Sequence, residues 1–121
     1  MKTTLITGAA GFIGSNIAQA LVSDNKIIGF DNVNDYYDVN LKEYRLSQLE
    51  SHDNFTFIKG DLADKQAVDS IFEQYKPDIV VNLAAQAGVR YSIDNPQAYI
   101  DSNLIGFFNI LEACNRLVPG T

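Results

Sequence analysis

The sequence has little of several residue types, and each shortage narrows the possible functions. Its 121 residues include one cysteine, one histidine and no tryptophan. Because Cys114 has no partner for an intrachain disulfide, a disulfide scaffold is excluded and a reducing, cytoplasmic setting is expected. The only histidine, His52, stands beside Ser51 and Asp53 in a polar turn and has no second histidine or cysteine to join it, so no metal site is expected.

Positive charge and long apolar runs are also scarce. Nine Lys and Arg residues stand against 15 Asp and Glu residues, which gives a formal net charge of −6. Nucleic acid is therefore not an expected partner, because basic side chains must neutralise its phosphates. No apolar run approaches the roughly 20 residues that cross a bilayer. Regularly spaced glycines interrupt the apolar segment after Lys2, so neither a membrane span nor a signal peptide is expected.

The sequence does contain a regular alternation of short apolar runs and helical periodicity. Continuous apolar runs of a few residues predict strands of a parallel sheet covered on both faces. Apolar residues three and four apart predict the intervening helices. The predicted strands are 3–7, 26–30, 55–58 and 78–83, and the predicted helices are 12–22, 41–49, 65–75 and 96–116. This β-α-β-α-β-α-β-α order predicts a doubly wound α/β fold, in which ligands bind at the carboxyl ends of the strands.

Three glycines at a spacing of three directly follow the first predicted strand. The pyrophosphate of a dinucleotide needs a tight strand-to-helix turn, a backbone without obstructing side chains and free N–H groups at a helix start. Gly8 can make the turn, Gly11 can admit the phosphate, and Gly14 can let the helix pack closely. An ordinary turn is the alternative, but the position of the loop between a strand and a helix favours dinucleotide binding.

Asp31 follows the second predicted strand, where dinucleotide-binding folds place an acidic residue. A carboxylate there can accept hydrogen bonds from both hydroxyls of the adenosine ribose, and it would repel a 2′-phosphate. No Lys or Arg lies between Asp31 and Asn40 to offset that repulsion. NAD is therefore favoured over NADP as the cofactor. The alternative is a structural aspartate that caps the strand end.

Polar and small residues follow the third and fourth predicted strands. Asp61 can accept a hydrogen bond from the adenine amino group while the N–H of Leu62 faces a ring nitrogen. The alternative for Asp61 is a helix N-cap or an Asx turn. The segment after the fourth strand could let the ribose and nicotinamide lie against the backbone, or it could serve tight packing against the next helix. That segment consists of Asn82, Leu83, Ala84 and Ala85.

Together these segments resemble the extended short-chain dehydrogenase/reductase superfamily and, within it, the NAD-dependent epimerase/dehydratase family. Two longer stretches, residues 30–46 and 84–96, resemble the N-terminal part of UDP-glucuronate 4-epimerases. The likeness extends to about residue 116 and implies a Rossmann-like sheet, truncated after about four strands. The cofactor-binding residues that it implies are Gly8, Ala10, Gly11, Phe12, Ile13, Gly14, Asp31, Asn32, Asp61, Leu62, Leu83, Ala84, Ala85 and Asn103.

The resemblance also implies an activity that residues 1–121 do not carry alone. Enzymes of this family hold NAD tightly, and a tyrosine in a Tyr-x-x-x-Lys motif takes the proton of the sugar 4-hydroxyl while hydride passes to NAD. Hydride then returns to the other face of the 4-keto sugar. No tyrosine in this sequence has a lysine four residues later. We therefore expect an N-terminal portion of an NAD-binding domain, without the catalytic and substrate-binding parts, that binds NAD weakly and epimerises nothing by itself.

Three further residues are candidates for binding roles. Asn103 is predicted near the buried face of the last helix, and a matching asparagine in the family helps to hold the cofactor site. A structural bond to a nearby loop is the alternative. Gln86 and Arg90 are candidates to contact a nucleotide-sugar substrate, because arginine can bind a carboxylate or phosphate through two parallel hydrogen bonds. The alternative for Arg90 is a solvated charge or an ion pair.

The last predicted helix and the fourth strand suggest self-association. In the strand order 3-2-1-4-5 that the resemblance implies, a sheet truncated after its fourth strand has that strand at an edge, with its backbone open to pairing. The helix resembles one that packs in the dimer bundle of the family, so a homo-oligomer, a dimer, is expected. Phe108 is predicted to face outward, opposite the stripe that is predicted to face inward. That inward stripe consists of Ile100, Leu104, Phe107, Leu111 and Cys114.

Two other functions stay open at the level of sequence. One is a nucleotide-sugar dehydratase or reductase of the same superfamily. The other is a dinucleotide-binding module without catalytic activity. A Tyr-x-x-x-Lys motif encoded beyond Thr121 would favour the enzymes over the module.

Overall fold

The computed structural model describes residues 2–33, 39–84 and 93–117. The chain divides into two compact units. The first unit comprises Met1–Gly60 and Pro77–Leu83, and the second comprises Asp61–Lys76 and Ala84–Thr121.

The first unit is a parallel four-stranded sheet with two helices. Its strands lie in the order β3-β2-β1-β4, and β1 is hydrogen-bonded to both β2 and β4. The predicted α/β, Rossmann-like fold is confirmed, and β4 lies at one end of the described sheet as predicted. The helix predicted at 41–49 begins two residues earlier. The elements are β1 (Thr3–Thr7), α1 (Phe12–Leu21), β2 (Lys26–Asp31), α2 (Val39–Glu50), β3 (Phe55–Lys59) and β4 (Ile79–Asn82).

An apolar core fixes the position of the turn that follows β1. Adjacent residues Leu5 and Ile6 of β1 are both buried, as expected for an interior strand of a parallel sheet. Each such fully buried side chain contributes about 1.5–3 kcal/mol relative to an exposed one. The core cluster includes two alanines of the turn itself, so the turn after β1 is packed against the sheet and the helices. The cluster consists of Ile6, Ala9, Ala10, Ala18, Val22, Ile27, Leu46, Leu49 and Phe55.

The second unit is helical. Its first helix, α3 (Lys65–Tyr75), has the predicted bounds. Asp64 caps its start by accepting hydrogen bonds from the backbone N–H groups of Gln66 and Ala67. The remaining elements are α4 (Pro96–Tyr99), a π-helix (Ile100–Ile105) and α5 (Gly106–Leu117).

Asp69 links two helices of the second unit. Its carboxylate pairs with Lys65, one turn earlier on α3, at 2.8 Å and with Arg116 of α5 at 3.3 Å. The hydrogen bond from Lys65, and then that from Arg116, hold the pKa of Asp69 below its ordinary value. Burial raises the pKa by more than the hydrogen bond from Arg116 lowers it, but by less than the hydrogen bond from Lys65 does, and the net pKa stays below the ordinary value. The ionised carboxylate therefore stabilises the pairing of α3 with α5.

The prediction of one continuous helix over 96–116 is wrong in its middle. A π-helix occupies Ile100–Ile105, and the N–H of Gly106 bonds the carbonyl of Asp101, five residues back instead of four. The wider turn rotates α5 relative to the register that a continuous α-helix would have. A π-segment of this kind occurs frequently at functional sites.

The predicted inward stripe is also wrong. Leu104, Phe107 and Leu111 are 65%, 48% and 52% exposed, and Ile100 is exposed as well. Cys114 is half-buried, and burial raises the pKa of its thiol. Phe108 is exposed, as predicted. The buried positions are instead Gly106, Asn109, Ile110 and Ala113.

Small and polar residues determine this burial. A Cβ on Gly106 would lie 2.8 Å from the Cβ of Leu62, so the two backbones approach too closely for any side chain. Asn109 donates from Nδ2 to the carbonyl oxygen of Leu62 at 2.7 Å. Because of the close approach to Leu62 and this buried hydrogen bond, the face of α5 with small and polar side chains packs inward. The large apolar side chains of α5 stay exposed.

Candidate dinucleotide-binding site

The glycine turn, residues 8–14, joins β1 to α1. Gly8 has a φ of 72°, in the left-handed region that glycine adopts without strain. Its N–H donates to the carbonyl of Phe30 in β2 at 2.8 Å, and its own carbonyl accepts from the N–H of Gly11 at 3.0 Å. The chain therefore reverses within four residues directly above the carboxyl ends of β1 and β2.

Gly14 lets the first turn of α1 pack closely against the backbone of Gly8. A Cβ at Gly14 would lie 2.2 Å from the carbonyl oxygen of Gly8 and 2.9 Å from its carbonyl carbon. The first intrahelical acceptor is the carbonyl of Gly11, which receives the N–H of Ser15. The N–H groups of Phe12, Ile13 and Gly14 precede it and have no intrahelical acceptor, so they are available to an anion.

Asp31 is buried beside the glycine turn. It is 7% exposed, its Oδ2 accepts from the N–H of Ala10 at 3.0 Å, and its Oδ1 accepts from the N–H of Val33 at 2.7 Å. The structural role named above as the alternative is thus present. Each carboxylate oxygen has two lone pairs, so each can accept one further hydrogen bond, which matches the two hydroxyls of a ribose.

The chain turns sharply after Asp31. Val33 has a φ of 51°, an unusual conformation for a β-branched residue that stores backbone strain. The bond from its N–H to Asp31 and the packing of its side chain on the core hold it there. Asn32, between them, is exposed. Strain of this kind is concentrated at binding sites and is here located beside the candidate ribose acceptor.

Sequence reasoning gave Arg45 no role at this site. From α2, its Nη1 donates to the carbonyl oxygen of Ala10 at 3.3 Å. Its guanidinium lies over the ring of Phe12, 5.7 Å from the centroid. Phe12 and Ile13 themselves are 69% and 61% exposed. In the local sequence, Arg45 is simply an arginine next to the apolar Leu46. That pattern does not indicate that the arginine side chain reaches the turn.

A second missed residue, Thr7, joins the ends of β1 and β4. Its buried hydroxyl is hydrogen-bonded to Oδ1 of Asn82. The N–H of Leu83 donates to the carbonyl oxygen of Thr7 at 3.2 Å and to its Oγ1 at 3.1 Å. Leu83, a predicted cofactor contact, is therefore fixed next to the carboxyl end of β1. Its side chain is 38% exposed.

Other predicted residues belong to the second unit. Oδ1 of the exposed Asp61 accepts from the N–H of Ala63 at 2.9 Å, the Asx turn named as its alternative. Leu62 is buried, and Asn109, which sequence reasoning missed, holds its carbonyl. Asn103 lies in the π-helix and is exposed. Its predicted place near the buried face is wrong, because the π-helix changes the helical register.

The remaining predicted contact residues lie at the edge of the described residues or outside them. Ala84 is described and half-buried. Ala85, Gln86 and Arg90 lie outside the described residues. Across residues 2–33, 39–84 and 93–117, no helix is long and apolar enough to cross a membrane. Within those same stretches, no three His, Cys, Asp or Glu side chains are grouped to hold a metal ion.

The glycine turn and Asp31 together fit a dinucleotide. Gly14 packs against the Gly8 carbonyl with no room for a side chain, and the first N–H groups of α1 have no intrahelical acceptor. Asp31 adds acceptor capacity at the end of the adjacent strand. A pyrophosphate on the N–H groups and a ribose on the carboxylate are the two parts of a dinucleotide that such a pair can hold.

Comparisons with known proteins agree with this fold. Protein CapI of Staphylococcus aureus is 55% identical over 113 residues, which cover 93% of this chain and 33% of that protein. The UDP-glucuronate 4-epimerase of Thermodesulfobacterium geofontis is 48% identical over 109 residues, 89% of this chain and 34% of that protein. The chain thus spans about a third of the length of these curated relatives.

A solved structure is also similar to this chain over a part of its length. It is a variant of the UDP-glucuronic acid 4-epimerase from Bacillus cereus in complex with UDP-4-deoxy-4-fluoro-glucuronic acid and NAD. It is 34% identical with a TM-score of 0.86, over 95% of this chain and 37% of that one. The model of the family described as GDP-mannose 4,6 dehydratase matches residues 5–120. The chain therefore belongs to that family, and the predicted resemblance to epimerases and dehydratases is confirmed.

Proposed function

We propose that residues 1–121 are the N-terminal, NAD-binding portion of a nucleotide-sugar 4-epimerase acting on UDP-glucuronate and UDP-galacturonate. The observation that carries the proposal is the carboxylate of Asp31, held against the glycine turn by the N–H of Ala10. Two named relatives support the substrate class. The relative from Thermodesulfobacterium geofontis is a UDP-glucuronate 4-epimerase, and the Bacillus cereus structure contains a UDP-glucuronic acid analogue and NAD.

In this proposal the described residues bind and orient the cofactor. The N–H groups of Phe12, Ile13 and Gly14 hold the pyrophosphate, and Asp31, beside Asn32, accepts from the adenosine ribose. The chemistry that the cofactor supplies, when bound, is reversible hydride exchange with carbon 4 of the sugar. From the family resemblance, further contacts are proposed for Asp61, Leu62, Leu83, Ala84, Ala85 and Asn103.

The remaining chemistry is assigned to residues outside this sequence. No tyrosine of the chain is followed by a lysine four residues later, so the proton of the sugar 4-hydroxyl has no acceptor of the family type here. The chain alone is expected to bind NAD weakly and to have no epimerase turnover. Gln86 and Arg90 remain proposed contacts to the nucleotide sugar.

A dehydratase is the second candidate function. The description of the matching family model as GDP-mannose 4,6 dehydratase favours it, whereas the names of the relatives favour the epimerase. The two enzymes are distinguished by incubating the full-length parent protein with UDP-glucuronate and, separately, with GDP-mannose, whose carbon 6 carries the hydroxyl that a 4,6-dehydration removes, and by analysing the products. Conversion of UDP-glucuronate to UDP-galacturonate supports the epimerase. Loss of water from GDP-mannose supports the dehydratase.

We also propose a cytoplasmic homodimer. The lone cysteine supports the compartment. The exposed apolar side chains of the π-helix and α5, among them Leu104, Phe107 and Phe108, support self-association. Analytical ultracentrifugation at increasing protein concentration tests this proposal. A monomer at all concentrations contradicts it, and a concentration-dependent dimer supports it.

Calorimetric titration with NAD and, separately, NADP tests the cofactor proposal. The unsubstituted chain is expected to bind NAD at least about tenfold more tightly than NADP, because the carboxylate accepts from a 2′-hydroxyl and repels a 2′-phosphate. Asp31→Asn loses the charge and one acceptor atom, so NAD affinity should fall about tenfold or more while the preference for NAD shrinks. The exposed Asp53→Asn is the matched control and should bind like the unsubstituted chain. Equal binding of both cofactors, or an unchanged Asp31→Asn variant, contradicts the proposal.

A further inference from the structure

We propose that Arg45 is a positioning residue for the dinucleotide, acting through the carbonyl side of the glycine turn. The inference rests on the proposed function, because it concerns the same cofactor. The carboxylate of Asp31 accepts from the N–H of Ala10, and the guanidinium of Arg45 donates to the carbonyl of Ala10. Two neighbouring elements, β2 and α2, therefore fix this one residue of the turn.

The contacts of Arg45 are directed at the turn. Nη1 donates to the carbonyl oxygen of Ala10 at 3.3 Å, and the guanidinium covers the ring of Phe12. Ala10 is fully buried, and a buried carbonyl requires a hydrogen-bond partner. Arg45 is half-buried, which strengthens its interaction with the carbonyl relative to a bond in open solvent.

The location of this bond matters for anion binding. Ala10 directly precedes Gly11, the N-cap of α1, and the N–H groups available to a pyrophosphate begin at Phe12. A shift of the Ala10 carbonyl therefore moves the N-cap and changes the direction of those N–H groups. Arg45 consequently affects how well the turn is preorganised for a phosphate.

Charge gives a second reason to connect Arg45 with an anionic ligand. The N-terminus of a helix carries a partial positive charge, so a cation beside it is unfavourable. The guanidinium is nonetheless held at the start of α1, against Ala10 and Phe12. A bound pyrophosphate relieves this repulsion, which links the cation to occupancy of the site.

The experiment compares Arg45→Gln and Arg45→Lys with a control that is destabilised elsewhere. Asn54→Ala is that control, because it removes a half-buried hydrogen bond in the same unit, from Asn54 Nδ2 to the carbonyl of Val22 at 3.1 Å. Two quantities are measured for each variant. The first is amide hydrogen exchange, without cofactor, at Ala10, Gly11 and Ser15, whose N–H groups are hydrogen-bonded within or beside the turn, and the second is NAD affinity by calorimetry.

Arg45→Gln is expected to accelerate exchange at the three amides about tenfold and to weaken NAD binding about tenfold, the effect of losing one charge-assisted hydrogen bond. Arg45→Lys keeps the charge and one donor, so it should recover part of both effects. Asn54→Ala should lower the stability of the unit and leave both quantities unchanged. A purely structural role for Arg45 would instead give Arg45→Gln and Asn54→Ala the same profile.

The outcomes separate this inference from the proposed function. If the unsubstituted chain binds NAD and Arg45→Gln changes neither exchange nor affinity beyond the Asn54→Ala control, the role of Arg45 is overturned and the proposed function stands. If the unsubstituted chain binds no NAD, the proposed function fails and the role of Arg45 toward a cofactor fails with it.

Discussion

Replacing Gly14 by alanine tests the geometry on which the whole site depends. The new Cβ would lie 2.2 Å from the carbonyl oxygen of Gly8, so the helix and the turn must separate by about 1 Å to reach ordinary contact. Both partners are backbone and cannot rotate away, so the cost lies at the upper end of the overpacking range, about 3 kcal/mol. Alanine returns about 1 kcal/mol through its higher helix propensity. The net loss of stability is about 2 kcal/mol.

Urea unfolding measures this loss. With a slope of about 2 kcal/mol per molar urea, the midpoint should fall by about 1 M. The matched control is Gly11→Ala, whose Cβ would meet the same Gly8 carbonyl oxygen at 3.2 Å. Gly11 has a φ of −75° that any residue adopts, so this change should cost less than about 1 kcal/mol. Equal losses in the two variants, or a stabilised Gly14→Ala, would refute the close contact.

Two further predictions concern the second unit. Lys65 and Arg116 hold the pKa of Asp69 below its ordinary 3.8, so Asp69→Asn should cost about 0.5 kcal/mol near neutral pH. That difference should vanish as the pH falls through the lowered pKa, because the protonated carboxyl no longer pairs; urea unfolding at pH 7 and at pH 3 and below checks it. Asn109→Leu leaves the carbonyl of Leu62 without its donor and should cost about 1–3 kcal/mol in the same assay.

The prediction for Asn109→Leu has a control on the same helix. Asn115→Leu makes the same substitution at an exposed position of α5 and should change stability by less than about 0.5 kcal/mol. If it costs as much as Asn109→Leu, the buried bond is not the cause. A stability difference for Asp69→Asn that persists unchanged under strongly acidic conditions would contradict the ion pair.

Local sequence chemistry predicted the part of the site that depends on the backbone. Each feature of this part depends on one short segment. The turn after β1 needs one glycine for a left-handed φ and another for a close backbone contact, and the end of β2 carries an acid. The glycine turn and Asp31 therefore follow from the sequence without knowledge of the rest of the fold. The order of the strands is different: it was expected from the family resemblance, and the apolar runs by themselves predict only the alternation of strands and helices.

Contacts between distant segments could not be predicted in this way. The bond from Arg45 to Ala10 depends on which side of α2 faces the turn, and α2 has only a weak apolar pattern. The hydroxyl of Thr7 can join the ends of two strands only because β4 lies beside β1. In both cases the partner lies many residues away, and composition alone does not identify it.

The last helix shows why an apolar stripe can mislead. A helix with apolar residues on more than one side permits several buried faces, and periodicity does not choose among them. Here the choice was made by the absence of a side chain at Gly106 and by the hydrogen bond of Asn109. The π-helix before Gly106 then set the register, and no sequence period signals the extra residue.

NMR mapping of NAD onto the backbone tests directly whether the glycine turn and Asp31 form a cofactor site. Amide resonances of the isotope-labelled chain are followed as NAD is added. Saturable shifts are expected that are largest at Gly11, Phe12, Ile13 and Gly14 and at Val33, whose N–H is bound to Asp31. NADP should cause smaller shifts at the same concentrations. Absence of saturable shifts in the glycine turn, or shifts concentrated elsewhere in the chain, would contradict the claim that this turn and Asp31 form a cofactor site.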